Sequence, residues 1–146
     1  MIRVFLDANI YFAGVLSKEG ASSAVLELGC RGKIALVASR LVLREADRNL
    51  RKKSSLRVLK SFHRFLQDTK IEVVPPPDEE TFETYAELLH PKDLPVLVAA
   101  IESHADYLVT LDKKHFFLPA LLSKLKKTKI ITPADFLRDV YLKGKV

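Results

Sequence analysis

Cysteine occurs once, at Cys30, and tryptophan is missing from the chain. A lone thiol closes no intrachain disulfide, and no closely spaced group of Cys and His marks a zinc site, so the expected setting is reducing and cytoplasmic. Long apolar runs are missing too. No stretch reaches the length of a membrane-spanning helix, and Met1 to Leu6 carries neither a basic leader nor a cleavage motif, so neither export nor membrane insertion is expected. Internal repeats and low-complexity segments are absent. The one conspicuous punctuation, Pro75-Pro76-Pro77, is stiff but too short to serve as a domain linker. The 146 residues therefore read as a single globular domain, 1–146, large enough to bury a substantial core.

What the chain has in excess is positive charge: 24 Lys and Arg against 18 Asp and Glu, a formal charge of +6. That balance favours a polyanionic partner, although many basic proteins bind nothing acidic. Arg44, Arg48, Arg51, Lys52 and Lys53 form one basic group, and Lys113, Lys114, Lys124, Lys126 and Lys127 a second. Each is equally compatible with a solvated surface, and Arg44, Arg48, Lys52, Lys113 and Lys114 are the candidates for tracking a nucleic-acid backbone.

Short apolar runs at Ile2–Leu6, Lys33–Ala38, Lys70–Val74, Tyr107–Leu111 and Lys129–Ile131 are bounded by charge or by breakers and read as buried strands. Helical spacing fills the intervals. Ala21–Arg31 stops at Gly32, a helix capped by Ser39 runs through Arg51, and Leu56 to Leu66 carries an apolar stripe whose aromatics belong to the core. Asp78, Glu79 and Glu80 suit a helix start, Asp93–Ser103 takes Pro95 in its first turn, and Phe116–Leu125 and Thr132–Tyr141 complete the pattern. Alternation of this kind predicts an α/β fold, a mainly parallel sheet of about five strands with helices on both faces.

In such sheets, sites lie beyond the carboxyl ends of the strands. Asp7 closes the first apolar run and Asp112 the fourth; Glu45 lies in the helix after the second, and Asp93 opens an apolar helix. Singly, Asp7, Asp93 and Asp112 are equally well helix caps, and Glu45 a solvated acid paired with Arg48 or a lysine. Together they fall at strand ends and helix starts along one edge. Two carboxylates about 4 Å apart repel by roughly 4 kcal/mol at an effective dielectric of 20, so a cluster of them points to cations. Oxygen donors suit Mg²⁺ or Mn²⁺, whose shells substrate phosphate oxygens can complete. The four histidines, His63, His90, His104 and His115, show no ligand spacing; His115, three residues past Asp112, is the one to watch.

Taken with their surroundings, these residues resemble the PIN-domain family, and within it the small prokaryotic toxin ribonucleases. Leu6-Asp7-Ala8-Asn9-Ile10 is similar to the family's first strand and acid, Ser39 with Glu45 to its early-helix acid, and Asp93–Ala100 to an acid leading an Ala-rich helix. Tyr107–Phe116, with Thr110 and Asp112, resembles the fourth signature, and Ile130–Leu137 the usual ending. His90–Leu94 departs from the acid-rich run of many relatives. The resemblance implies a metal-dependent ribonuclease in which Asp7, Glu45, Asp93 and Asp112 hold one or two Mg²⁺ or Mn²⁺ ions, with Asn9 and Thr110 in support. It also implies single-stranded RNA as substrate, a cognate antitoxin protein and a homodimer. Two other readings of the residues are a non-catalytic PIN-like module that binds RNA or protein, and a haloacid-dehalogenase-like phosphatase with Asp7 as nucleophile. The phosphatase ranks last because Asn9 stands where its general acid belongs.

Overall fold

A computed structural model describes residues 1–146. Five strands, β1 (Arg3–Leu6), β2 (Ala35–Ser39), β3 (Ile71–Val74), β4 (Tyr107–Val109) and β5 (Lys129–Ile131), form one sheet in the order β3-β2-β1-β4-β5. Every neighbouring pair is parallel. The sheet is thus wholly parallel, and the α/β architecture expected from the sequence is the one observed.

The central strand explains why the runs are apolar throughout rather than alternating. Val4, Phe5 and Leu6 of β1 are all fully buried, because both faces of the sheet are covered. Burying a side chain such as Phe5 or Leu6 contributes about 1.5–3 kcal/mol. Parallel strands need crossovers, and these are supplied by α1 (Ala8–Leu16) and α2 (Ala21–Cys30), then α3 (Arg40–Lys53) and α4 (Leu56–Asp68), on the way from β1 to β3. The chain then returns past β1 through α5 (Glu79–Tyr85) and α6 (Leu94–Glu102) to β4, and through α7 (Lys113–Phe116) and α8 (Pro119–Lys124) to β5. Right-handed crossovers in opposite directions place α1 to α4 on one face and α5 to α8 on the other. The direction of winding reverses between β1 and β4, which leaves a crevice at their carboxyl ends.

The differences from the sequence expectation have local causes. A whole helix, α1, begins directly after β1 with Asp7 as its cap. The stretch expected as one helix at Phe116–Leu125 is two, α7 and α8, since Leu118 before Pro119 is held extended (φ −95°, ψ 127°). The last helix, α9 (Pro133–Phe136), is capped by Thr132 as expected but widens into a π-helical turn over Leu137–Tyr141. No helix is long and apolar enough to cross a membrane.

Candidate active site

Strand register brings the site together. Leu6 and Val109 are partners across β1 and β4, so the next residues, Asp7 and Thr110, emerge side by side into the crevice. The Asp7 amide still donates to Val109 O at 3.0 Å, so the backbone is held up to the first acid. Asp7 then turns the chain into α1: its Oδ1 accepts from the Ala8 amide at 2.8 Å. Its Oδ2 accepts from the Thr110 hydroxyl at 2.8 Å and from Asn9 Nδ2 at 3.3 Å. The cap and the site are therefore one group, and the two readings of Asp7 do not compete.

Thr110 is the hub. Its fully buried hydroxyl donates to Asp7 and accepts from the Asp112 amide at 3.0 Å and from Asn9 Nδ2 at 3.4 Å. Asn9 Oδ1 accepts in turn from the Leu111 amide at 3.2 Å. This network ties the end of β1 to the segment after β4. Asp112 caps α7, with Oδ1 accepting from the His115 amide at 3.2 Å and Oδ2 lying 2.8 Å from His115 Nδ1.

The other two acids arrive from separate crossovers. Asp93 occupies the N-cap position of α6, but its carboxylate makes no capping hydrogen bond. Glu45 rides on α3, whose start is fixed by the Ser39 hydroxyl accepting from the Val42 amide at 3.2 Å. Donor atoms of Asp93, Asp112 and His115 lie within 4.8 Å of one another. Glu45 and Asp93 are close enough to act on Asp7 through space. Burial pushes the Asp7 carboxyl up from 3.8 to about 6, the bonds from Thr110 and Ala8 oppose this, and the charges of Glu45 and Asp93 add to it. All four sequence-selected acids thus converge, together with Asn9 and Thr110.

No ion pair joins Asp7, Glu45, Asp93 or Asp112 to any Lys or Arg; Asp112 meets only the His115 ring. An acid only 7% exposed, crowded by two more and lacking a protein cation, fits a divalent ion with a preference for oxygen donors.

Arg44, Arg48, Lys52, Lys113 and Lys114 are all exposed and free of ion pairs, whereas Arg51 is tied to Asp47 at 2.5 Å. Arg44 also lines an 820 Å³ groove with Arg40, Leu41, Val74, Pro75 and Phe82, at the end of β3. Sequence reasoning passed over a second basic depression, where Lys18 meets Arg57, Lys60 and Arg64 of α4. The helical spacing of the last three was its only signal.

A family model for the PIN domain matches residues 3–114, a span that contains all four acids. The chain belongs to the PIN-domain family. Comparison with curated proteins finds no match. Among solved structures, this PIN-domain chain is similar to VapBC2 from Rickettsia felis bound to a DNA fragment from their promoter, with 18% identity, TM-score 0.66, 90% of this chain covered and 98% of that one. It is similar to PAE2754 from Pyrobaculum aerophilum at 22% identity and TM-score 0.59, over 97% of this chain and 90% of that one. A third is Mycobacterium tuberculosis VapC20, a Sarcin-Ricin loop cleaving toxin, at 13% identity and TM-score 0.53, over 76% and 91% of the respective chains. At these identities the likeness is one of fold.

Proposed function

We propose that this PIN-domain protein is a metal-dependent endoribonuclease, the toxin of a toxin–antitoxin pair, hydrolysing phosphodiester bonds in single-stranded RNA. The observation that carries the reading is the convergence of Asp7, Glu45, Asp93 and Asp112 on the β1/β4 crevice without a Lys or Arg partner. Those four side chains are the ones that would hold one or two Mg²⁺ or Mn²⁺ ions. When bound, such an ion supplies Lewis-acid polarisation of the phosphate and a lowered pKa for water.

The chain's own residues do the positioning. Thr110 and Asn9 fix the Asp7 carboxylate in one rotamer, and the same threonine hydroxyl anchors the amide of Asp112. Such supporting contacts set the geometry in which water attacks phosphorus in line while the opposite P–O bond breaks and its oxygen takes up a proton. Arg44, Arg48, Lys52, Lys113 and Lys114 steer and hold the RNA backbone, a sequence-independent contribution that weakens with salt. The groove beside Arg44 offers the unpaired strand an apolar wall. A cognate antitoxin protein, a homodimer and a cytoplasmic setting belong to the same reading, supported by the fold shared with VapBC2 and VapC20.

The test is cleavage of a fluorescent single-stranded RNA with Mg²⁺, Mn²⁺ or EDTA, run beside Asp7→Asn. Cutting that needs metal and disappears in the variant is the expected outcome. Binding of RNA by both proteins with no cutting of a broad substrate panel would turn the reading into that of a non-catalytic binding module.

A further inference from the structure

His115 stands apart from the acids in its chemistry, and its position is specific. The short helix α7 places it one turn beyond Asp112, where its amide already engages Asp112 Oδ1. That leaves Oδ2 facing the ring, 2.8 Å from Nδ1. Two ligands each about 2.1 Å from one ion and at right angles stand about 3.0 Å apart, so this separation is that of neighbouring ligands on a metal as well as that of a hydrogen bond. Asp93 closes the set, all three donors falling within 4.8 Å, and its carboxylate is left unengaged by the helix it heads.

We propose that His115 is a direct nitrogen ligand, with Asp93 and Asp112, of one divalent cation in the crevice. This makes the position a mixed nitrogen and oxygen site suited to first-row transition ions rather than an all-oxygen site for Mg²⁺. It rests on the metal-dependent reading given above and adds to it the identity of a ligand and the class of ion. The neutral ring in its Nε2–H tautomer presents the Nδ1 lone pair to the ion, in place of the N–H that otherwise bonds Asp112. Imidazole raises affinity along the series from Mn²⁺ to Cu²⁺, whereas Mg²⁺ gains little from exchanging water or carboxylate for nitrogen. His90 supplies a built-in comparison: its ring centroid lies 6.5 Å from that of His115, but its Nδ1 is occupied in accepting from the Lys92 amide at 3.0 Å.

Affinity alone does not separate a ligand from a group that merely orients Asp112, because losing a supporting contact can itself cost 10-fold to 100-fold. The deciding experiment is pulsed EPR of Mn²⁺ bound to the full chain, read for nitrogen hyperfine coupling, on wild type, H115A, H115Q and H90A. Coupling is expected in wild type and H90A and is lost in both His115 variants, including the glutamine that retains a donor toward Asp112. Mn²⁺ affinity should fall by about tenfold or more in H115A, with Mg²⁺ affinity within about twofold of wild type. Bound Mn²⁺ without nitrogen coupling in wild type, or coupling that survives in H115A, overturns the ligand and leaves the nuclease reading standing. Wild type that binds no Mn²⁺ at all overturns both.

Discussion

Replacing Asp7 by Asn should stabilise the metal-free protein at neutral pH and destabilise it in acid. The folded carboxyl sits at about 6 against an ordinary 3.8 because it is buried. At 1.36 kcal/mol per pH unit, that rise amounts to about 3 kcal/mol of unfavourable ionisation in the native state. The sign follows from proton counts. Between 3.8 and about 6 the native state retains a proton that the unfolded chain has released, so stability falls as pH rises through that window and is flat above it. Asn removes this loss. Its carboxamide oxygen keeps the acceptor for Thr110 and Asn9, but its NH2 then faces the Ala8 amide, so that cap bond is lost at a cost of about 1 kcal/mol. The net expectation in EDTA is a variant about 2 kcal/mol more stable at pH 7.5, seen as a urea midpoint about 1–2 M higher, and about 1 kcal/mol less stable near pH 4. Added Mg²⁺ should stabilise wild type more than the variant, by mass action. A difference between the two proteins that is the same at both pH values would refute the placement of Asp7 as a buried, crowded carboxylate.

Thr110→Val keeps the shape but removes the hub, stranding the Asp112 amide and taking a donor from Asp7; stability should drop by about 1–3 kcal/mol and metal affinity by about 10-fold to 100-fold, by urea titration and calorimetry. An unchanged metal affinity would show that the hydroxyl positions nothing. Gly29→Ala would bring a Cβ within 2.3 Å of Leu36 Cδ1 and 2.6 Å of its Cγ, so a loss of about 1–3 kcal/mol is expected in thermal unfolding, with cleavage by the surviving folded protein unaltered. Arg44→Glu combined with Arg48→Glu should weaken RNA binding and flatten its salt dependence while Mn²⁺ affinity stays as in wild type; fluorescence anisotropy over a salt series checks this, and an unchanged slope would remove these two residues from the path of the backbone.

The strands were legible because each apolar run is bounded by a charge or a breaker, as Ile2–Leu6 is by Asp7. Helix α1 was not, and the reason is physical: Ala8 to Leu16 is packed among α2, α3 and α4, so nearly every position is apolar and no polar face gives it a helical period. One capping carboxylate is all that separates it from β1. The convergence of Asp7, Asp93 and Asp112 could be read from their places at strand ends and helix starts. Glu45 could not be told locally from a solvated acid, since what distinguishes it is the position of α3 beside the crevice. His115 has no metal-ligand spacing to another histidine, and its partner is instead the aspartate one helical turn before it.

That contrast among the acids bears on how the crevice adapts to its contents. Asp7 and Asp112 hang from neighbouring strands and share one threonine hydroxyl, so neither can shift without straining the other. Glu45 sits partway along a fourteen-residue helix, tied at its start through Ser39 and two residues further on by the contact of Asp47 with His63 of α4. Exchanging a small ion for a larger one is then met by the unengaged Asp93 carboxylate and by α3 shifting together with α4, not by any loosening at the strand ends, and because α3 also carries Arg44 and Arg48, the size of the ion and the grip on the nucleic-acid backbone would change together.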